Sequence, residues 1–332
     1  MSCLASLANL EYPKEKFEVI LVDNGSTDGS VESVRTSFPF VRIVILDRNY
    51  GFCLPNNIGA ESAQGDFLVF LNNDTVVTTG WLQELVGCIN GRTDVKCVAS
   101  KLLFADRKNV INAAGGMLAP IGSGYYIGYG DNDSPYYSRT RYVGFGCGAA
   151  VLVEKAFFLE SGGFDPDYFA CGEEHDLGWR TWLFGYEAVY APKAVVFHWE
   201  SGTFGQRGSY QPIKIYYIVR NRLLTLVKNA EISLLAGGMI CSIAFDLYRS
   251  VVHTGRGNML GAKYISLAYV DFIKNLKKVL SKRRLLQAKR RRSDGGLRRL
   301  HVMASFSELI REERRLLKVM DEYHESDKFH AV

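Results

Sequence analysis

Three short apolar runs near the N-terminus constrain the fold more than any other feature of this sequence. They cover residues 17–22, 41–46 and 67–71, and stretches of helical character separate them. Each run is almost continuously apolar, which is typical of strands that are buried on both faces. The alternation predicts an α/β fold with a mostly parallel, Rossmann-like sheet and flanking helices.

Short acidic or amide side chains follow each of these runs. They are Asp23 and Asn24, then Asp47 and Asn49, then Asn73 and Asp74. In open α/β sheets, ligands bind outside the carboxyl ends of the strands. A single polar end would indicate only a turn or a helix cap, since Asp and Asn favour both. Three such ends together predict a polar ligand crevice.

Composition limits the class of protein. The chain has 332 residues, 47% of them hydrophobic, so it can bury a large core. Its seven cysteines are scattered and form no CxxC pair, which favours free thiols in a reducing compartment. The first twenty residues carry charges and no long apolar core, so we expect no secretory signal. The sequence also lacks a dinucleotide-binding fingerprint, a Walker motif and a nucleophile elbow.

Five segments with distinctive motifs follow one another along residues 1–225. They are VDNGSTDGS at 22–30, RNYGFCLPNNIG at 48–59, GDFLVFLNNDT at 65–75, GGFDPDYFACGEEHDLGWR at 162–180 and VVFHWESGTFG at 195–205. In this order and spacing, the segments resemble the family 2 glycosyltransferases of the GT-A fold, especially the rhamnosyltransferase-like branch. The resemblance implies an inverting transfer of a sugar from a UDP- or dTDP-linked donor. It implies a glycan or lipid-linked acceptor in the synthesis of cell-surface polysaccharide or glycoconjugate.

The resemblance also implies a metal site, because a divalent cation usually neutralises a diphosphate leaving group. The family's Asp-x-Asp-like motif corresponds to residues 72–74, of which only Asp74 is a carboxylate. Asp74 is therefore the first expected ligand, and His198 is the second. Either Mn²⁺ or Mg²⁺ is expected, and imidazole suits Mn²⁺ better. The alternative is that His198 is a core histidine at the end of a strand.

An inverting transfer needs one base to take the proton of the acceptor hydroxyl. The family's Glu-Asp segment corresponds to residues 172–176, GEEHD. This implies Glu174 as the catalytic base, with Asp176 as the second choice. Glu174 stands where the family usually has Asp, so its side chain is one methylene longer. The alternative is that these acids only stabilise the N-terminus of a helix through its dipole.

The remaining motif residues are expected to bind the donor. Asp23 can accept a hydrogen bond from the pyrimidine N3–H. Residues that would line the nucleotide, ribose and diphosphate are Asn24, Asn49, Gly51, Asn57, Asn73 and Asp74. Arg220 and Asn221 resemble a family Arg-Asn pair, which either contacts the diphosphate or has a structural role.

One strand of the family's fold is expected to be absent. Members open with an apolar strand in the middle of the sheet, whereas residues 1–7 match the helix that follows it. Each buried backbone group left without its ladder partner would cost about 1–3 kcal/mol. We therefore expect that the sequence starts downstream of the true start, or that the chain is a truncated, weakened transferase.

The C-terminal part of the chain is basic and amphipathic. Residues 274–332 hold 17 basic and 8 acidic side chains, against 23 and 27 in the rest. Apolar residues recur at helical spacing in 263–292, at Ile265, Tyr269, Phe272, Leu276 and Val279, and cations crowd the other positions. An uncharged apolar stretch at 232–245 is roughly 21 Å long as a helix, too short to span a bilayer. Together these features predict attachment to an anionic membrane surface through C-terminal helices. The alternative is a charged helix packed on the body, and no nucleic-acid partner is expected.

These inferences predict a glycosyltransferase domain over residues 1–225 and a helical basic extension over 226–332. The protein is expected to be peripheral on the cytoplasmic face of the cell membrane. The alternative function is that of a catalytically degenerate sugar-nucleotide-binding or membrane-associated scaffold protein.

Overall fold

The computed structural model describes residues 1–200, 212–255 and 257–329, with side chains up to Val319. The strands are β1 (Val19–Asp23), β2 (Val41–Ile45), β3 (Phe67–Leu71), β4 (Thr75–Val77), β5 (Val95–Phe104), β6 (Ile111–Ala114), β7 (Gly116–Leu118), β8 (Gly124–Tyr126), β9 (Arg141–Tyr142), β10 (Ala150–Glu154) and β11 (Glu187–His198). The helices are α1 (Ser2–Ala8), α2 (Ser30–Ser37), α3 (Cys53–Ser62), α4 (Trp81–Ile89), α5 (Lys155–Glu160), α6 (Glu173–Leu183), α7 (Pro212–Asn229), α8 (Ile232–Gly255), α9 (Met259–Ala288), α10 (Asp294–Arg299) and α11 (Phe306–Phe329). The end of the fifth sequence segment, 201–205, lies outside the described residues.

The central sheet is built around β5, whose ten residues are almost all buried. Its strand order is β3-β10-β5-β11-β4, with β6 paired to β5 and β9 paired to β11. β5 and β11 are parallel, and β3 runs in the same direction because β10 is antiparallel to both β3 and β5. Helices cover both faces of β5, which explains its continuous burial. The predicted α/β class is confirmed, and the run predicted at 67–71 coincides with β3.

A gap in the hydrogen-bonded ladder separates two groups of strands. β1 and β2 form a parallel sheet of their own. Among the described residues, no strand pairs with the second edge of β1 or with the edge of β3 that faces away from β10. Side chains of both strands, including Leu21 and Val69, pack on one apolar cluster that also contains Leu4 and Leu7 of α1. The expected absence of a mid-sheet strand is confirmed for this part of the chain.

Helix α7 crosses the predicted domain boundary at 225/226, and one apolar cluster joins both sides of it. That cluster includes Leu223 and Leu234 as well as Val279 and Leu297. Among the described residues, α8 is the one helix with the length and composition to cross a membrane. It continues ten residues beyond the stretch predicted at 232–245.

Helix α9 corrects the predicted mode of membrane attachment. Its apolar residues Ile265, Phe272 and Val279 are buried, and Tyr269 and Leu276 pack against the same core. This face lies against α7 and is unavailable to lipid. The amphipathic pattern was therefore produced by packing on the body, as the alternative interpretation stated.

Several cations of α9 also serve the body. Lys282 Nζ lies 2.5 Å from Asp165 Oδ1 and 2.7 Å from Asp167 Oδ2. Arg283 donates to the carbonyl oxygens of Val227 and Ala230, at 2.6 Å each, near the C-terminus of α7. Val227 is in the last turn of α7, where carbonyls lack a partner within the helix, and Ala230 directly follows the helix, so the guanidinium supplies donors to both.

A buried ion cluster joins α6, α7 and the loop before α6. Lys228 Nζ lies 2.7 Å from Asp165 Oδ2 and 2.9 Å from Asp176 Oδ1, and Arg180 Nε lies 2.9 Å from Asp176 Oδ2. Burial alone would raise the pKa of Asp176, but Arg180 and Lys228 outweigh it and hold that pKa below its usual value. Lys228 and Lys282 likewise lower the pKa of Asp165 against the effect of burial.

The substitution Lys228→Met tests this cluster. It leaves two buried carboxylates short of a cation, and we expect the free energy of unfolding to fall by about 3–5 kcal/mol, as measured by urea denaturation at neutral pH. Because both carboxyl pKa values are depressed, their stabilising contribution is complete above about pH 4 and is lost as the pH falls. The difference between variant and parent should therefore shrink in acid.

The matched control is Lys278→Met, because the Lys278 side chain is 57% exposed and pairs with Asp167 at 2.5 Å. We expect it to lower the free energy of unfolding by less than about 1 kcal/mol. Equal losses in the two variants would show that the buried cluster has no special role.

Candidate active site

The carboxyl end of β1 is tied to the loop that follows β2. Asn24 Nδ2 donates to Asn49 Oδ1 at 3.0 Å and to the carbonyl of Gly51 at 2.7 Å, and Asn24 Oδ1 accepts from Tyr50 N at 2.8 Å. Asp23 is buried and accepts from Ser26 N at 3.2 Å. Thus Asp23, Asn24, Asn49 and Gly51 come together at one edge of the sheet, as the sequence predicted.

Gly51 allows this loop to approach the segment before α6. Its φ is +81°, and a Cβ there would collide with the carbonyl and ring of Phe169. The same carbonyl accepts from Phe52 N at 2.5 Å and from Cys53 N at 3.3 Å, where α3 begins. The loop after β2 is therefore fixed against the segment that leads to Glu173 and Glu174.

Asn57 has a structural role instead of the predicted role in donor binding. Its Nδ2 donates to the carbonyl of Phe164 at 2.7 Å, and its Oδ1 accepts from Phe164 N at 2.9 Å. Both ends of the amide are thereby used in holding the loop before α6. Asn73, by contrast, is exposed, and its side chain makes no hydrogen bond within the described residues.

Asp74 and His198 face each other across the paired ends of β4 and β11. His198 Nε2 lies 3.4 Å from Asp74 Oδ1, and the two side chains are only 11% and 10% exposed. Strand pairing aligns His198 with Thr75, and Trp199 N donates to the carbonyl of Asp74 at 3.0 Å. The predicted pair of metal ligands is thus brought together by two adjacent strands.

Asn112 of β6 determines which nitrogen of His198 carries a proton. Asn112 Nδ2 donates to Glu200 Oε1 at 2.7 Å, so its Oδ1 is the atom that faces the imidazole. His198 Nδ1 lies 3.0 Å from that Oδ1 and donates to it. In a neutral imidazole the lone pair is then on Nε2, directed at the Asp74 carboxylate. Two lone pairs at this distance repel unless a proton or a cation lies between them.

The chemistry of this donor set fits a divalent cation. One carboxylate and one imidazole suit Mn²⁺, and a second residue that orients the imidazole is typical of metal sites. Within the described ranges, no three His, Cys, Asp or Glu side chains converge on one point. A cation held by Asp74 and His198 would therefore take most of its ligands from a bound phosphate or from water.

Two glutamates occupy the first turn of α6. Tyr126 of β8 donates to Glu174 Oε1 at 2.9 Å, whereas Glu174 Oε2 is buried and accepts no hydrogen bond. Glu173 is also buried, and burial with the charge of Glu174 raises the pKa of Glu173 well above its usual value. Burial and the neighbouring carboxylate thus both favour the protonated form of Glu173.

Asp176 does not face this site. Its side chain is fully buried in the cluster with Arg180 and Lys228, and Asn229 Nδ2 donates to it at 2.8 Å. Two residues apart on a helix means about 200° apart around its axis, so Glu174 and Asp176 cannot face the same ligand. The second choice for the base is therefore wrong, and Asp176 instead holds α6 in place.

The two halves of the site share neighbours in the segment before β10. The Cys147 thiol lies within electrostatic reach of both Glu174 and Glu200. Asn72 N donates to the carbonyl of Ala149 at 2.9 Å. A Cβ added at Gly148 would lie 3.7 Å from the Phe52 ring and 4.0 Å from Glu174 Cβ. The end of β3 and the start of α6 therefore both adjoin residues 147–149, and we name the region between them the hollow.

Asn221, Asn112 and Tyr126 complete the site, and the sequence indicates only Asn221. Asn221 has a structural role, because its Nδ2 donates to the carbonyls of Tyr168, Ala170 and Cys171. The sequence analysis missed Asn112, although a polar residue inside the apolar run INAA could have indicated a functional side chain. It also missed Tyr126, because nothing in the sequence distinguishes this tyrosine from the others nearby.

Known proteins resemble this chain in sequence. Residues 2–134 match the model of glycosyl transferase family 2. The chain is 33% identical over 206 residues to the O-antigen biosynthesis protein RfbC of Myxococcus xanthus, which covers 59% of the chain but 16% of RfbC. It is 27% identical over 227 residues to an N-acetylglucosaminyl-diphospho-decaprenol L-rhamnosyltransferase of Mycobacterium tuberculosis, which covers 60% of the chain and 72% of that protein.

A solved structure confirms the fold. The crystal structure of GalNAc-T7 with UDP, GalNAc and Mn²⁺ superposes with a TM-score of 0.56 at 15% identity, over 83% of this chain and 54% of that one. The chain spans only a small part of RfbC, so these comparisons concern the domain they match. On this evidence residues 2–134 resemble glycosyl transferase family 2, and the fold is the GT-A fold of the solved structure.

Proposed function

We propose that the chain is an inverting glycosyltransferase that moves a sugar from a nucleotide-sugar to a hydroxyl acceptor. The observation that carries this proposal is the 3.4 Å approach of His198 Nε2 to Asp74 Oδ1, with the Nδ1 proton already donated to Asn112. This geometry favours a cation beside the hollow that Glu174 borders. Its position at the carboxyl ends of the strands agrees with a nucleotide-diphosphate site.

A divalent cation at this site, Mn²⁺ or Mg²⁺, would neutralise the charge that develops on the diphosphate as it leaves. Asp74 and His198 would hold it. Asp23, at the end of β1, would accept from the pyrimidine of a UDP- or dTDP-linked donor. Asn49, Gly51 and the exposed Asn73 would line the diphosphate side, while Asn24 keeps the loop after β2 in place.

Glu174 would act as the base. Its Oε1 is engaged by Tyr126, so the other oxygen, Oε2, would receive the proton of the acceptor hydroxyl. The new bond forms between that hydroxyl oxygen and the anomeric carbon, while the bond from this carbon to the phosphate oxygen breaks. The products are the glycoside with inverted configuration and the nucleoside diphosphate.

We further propose that the acceptor is a glycan or a lipid-linked glycan, used at the cytoplasmic face of the cell membrane. In support, one relative is named for O-antigen biosynthesis and another for transfer to a diphospho-decaprenol acceptor. Residues 1–225 would form the transferase domain, with 226–332 as its helical extension.

A second candidate function is a sugar-nucleotide-binding protein that has lost catalysis. The observation that favours it is the sparse donor set of the proposed cation site: Asp74 is the one carboxylate at 72–74, and no three His, Cys, Asp or Glu side chains converge within the described residues. Such a protein would be stabilised thermally by a nucleotide-sugar but would neither transfer nor hydrolyse it.

The substitution Asn112→Leu tests the cation site without an activity assay. Removing the acceptor for Nδ1–H releases the imidazole from its orientation, and we expect Mn²⁺ affinity to fall by about 10–100-fold. Binding would be measured from the electron paramagnetic resonance signal of free Mn²⁺ with UDP present. Asn109→Leu, at an exposed neighbouring position, should bind Mn²⁺ like the parent. Unchanged affinity in Asn112→Leu would refute the assignment of His198.

The substitution Glu174→Gln tests the base. We expect kcat for release of nucleoside diphosphate to fall by about 10²–10⁴-fold, while the affinity for the donor stays the same. Tyr126→Phe removes one hydrogen bond to the same carboxylate, so kcat should fall by roughly tenfold or less.

The assay would use a panel of UDP- and dTDP-sugars with Mn²⁺. Glu160→Gln, a carboxylate at the end of α5 away from the hollow, is the control and should leave kcat unchanged. Donor binding without turnover in the parent would favour the degenerate protein. Full activity in Glu174→Gln would show that another residue is the base.

A further inference from the structure

Helix α8 presents an outer face without a single charged side chain. Its exposed large apolar residues are Ile232, Ile240, Ile243, Leu247, Tyr248 and Val251, between 41% and 80% exposed. From Ile240 onward they recur at helical spacing, as at 240, 243, 247 and 251, and the helix of 24 residues is about 36 Å long. A stripe of this size is uncommon on a surface that meets only water.

The first half of α9 continues this surface. Met259, Leu260, Leu267, Val270 and Ile273 are between 41% and 64% exposed. Both α8 and α9 pack on α7 and on each other, so their remaining faces point away from the body. We name these eleven apolar residues of α8 and α9 the hairpin face.

The opposite side of α8 is fixed to the protein. Asp246 is buried and pairs with Arg222 of α7, and Tyr269 of α9 donates to it at 2.8 Å. Gly238 faces Leu226 of α7 so closely that a Cβ would lie 2.9 Å from its side chain. Only 17% of the most apolar window of α8 is buried, yet its buried polar residues Ser242 and Asp246 both bond to the body. An α8 that crossed a bilayer would have to break these contacts, so only its outer face is available.

Most of the charges that α8, α9 and the residues just after α9 carry are positive. Residues 232–293 contain 13 lysines and arginines and two acids, Asp246 and Asp271. Both acids form ion pairs with α7, because Asp246 pairs with Arg222 and Asp271 lies 3.4 Å from Arg220. The exposed cations Lys263, Lys274, Lys277 and Arg284 have no carboxylate within 4.0 Å in the described part of the chain. The apolar half of α9 thus leads directly into a basic half.

We propose that the hairpin face docks on the surface of an anionic lipid bilayer. The apolar side chains would enter the interface between headgroups and acyl chains, and the cations of α9 would contact anionic headgroups. A second copy of the chain fits worse, because a symmetric contact would bring two cationic, acid-free surfaces together. The inference names the surface behind the membrane location proposed above, but it does not depend on sugar transfer.

This surface includes the apolar stretch at 232–245 that the sequence indicated but differs in the face of α9 that it uses. The regular apolar face of α9 is buried in the core, whereas α8 and the outer positions of α9 form the hairpin face. Lipid binding is therefore expected to respond to Leu247 and Val251, which make no contribution to the core cluster.

The test is flotation of the full chain with vesicles of phosphatidylcholine alone or with about one third phosphatidylglycerol. The parent should float with the anionic vesicles and be released by high salt. Leu247→Glu with Val251→Glu should reduce binding by at least tenfold. Lys274→Gln with Lys277→Gln should reduce it by about fivefold per cation.

The matched control is Ile45→Glu with Leu159→Glu, two exposed apolar positions on β2 and α5 that add the same charge. It should bind like the parent. Equal binding by the Leu247/Val251 variant and the parent would overturn the proposal. So would a parent that ignores vesicles but forms a dimer that this variant separates, since the occupant would then be a second copy. Donor turnover, measured without vesicles, reports separately on the proposed function.

Discussion

The buried ion cluster of Asp176, Arg180 and Lys228 determines where the proposed base stands. It clamps one face of α6 to α7, and Lys282 of α9 extends it through Asp165. With α6 held in this way, its first turn directs Glu174 to the hollow on another side of the helix. A residue that resembles a catalytic acid in the sequence is thus the anchor for its neighbour two positions away. Breaking such a cluster is costly, because it leaves a buried charge without a partner.

The two glutamates in the first turn of α6 have different surroundings. Glu173 is buried with a raised pKa, whereas Glu174 has Tyr126 as a donor to one oxygen. Two ionised carboxylates would repel each other in a buried site, which favours the neutral form of Glu173. On the other side of the hollow, Asn112 assigns the proton of His198 in a similar way. Each proposed reactive group therefore has one neighbour that fixes its orientation.

The sequence predicted well what depends on local pattern. Apolar runs located β1, β2 and β3, and the polar residues at or just after the ends of these strands include Asp23, Asn24 and Asp74. It predicted the pairing of Asp74 with His198 only through resemblance, since 124 residues separate them. It could not predict Asn112 or Tyr126, because their partners are set by tertiary packing. The sequence placed Asn57 and Asp176 in the site for a related reason. A polar residue in a motif can bind a ligand or hold a loop, and only its tertiary contacts show which of the two roles it has.

The C-terminal helices show the limit of a periodicity argument. A repeat of apolar residues indicates that one face of α9 is buried, but it does not indicate against what. In α9 that partner is α7, and the pattern is complete without a membrane. In α8 the sequence is apolar on nearly every side, and the body covers only one of them. Packing on α7 does not explain why the uncovered side of α8 is apolar. Another helix would be needed to bury that side against the protein. A lipid surface explains both this excess of apolar area and the absence of outward acids between residues 232 and 293.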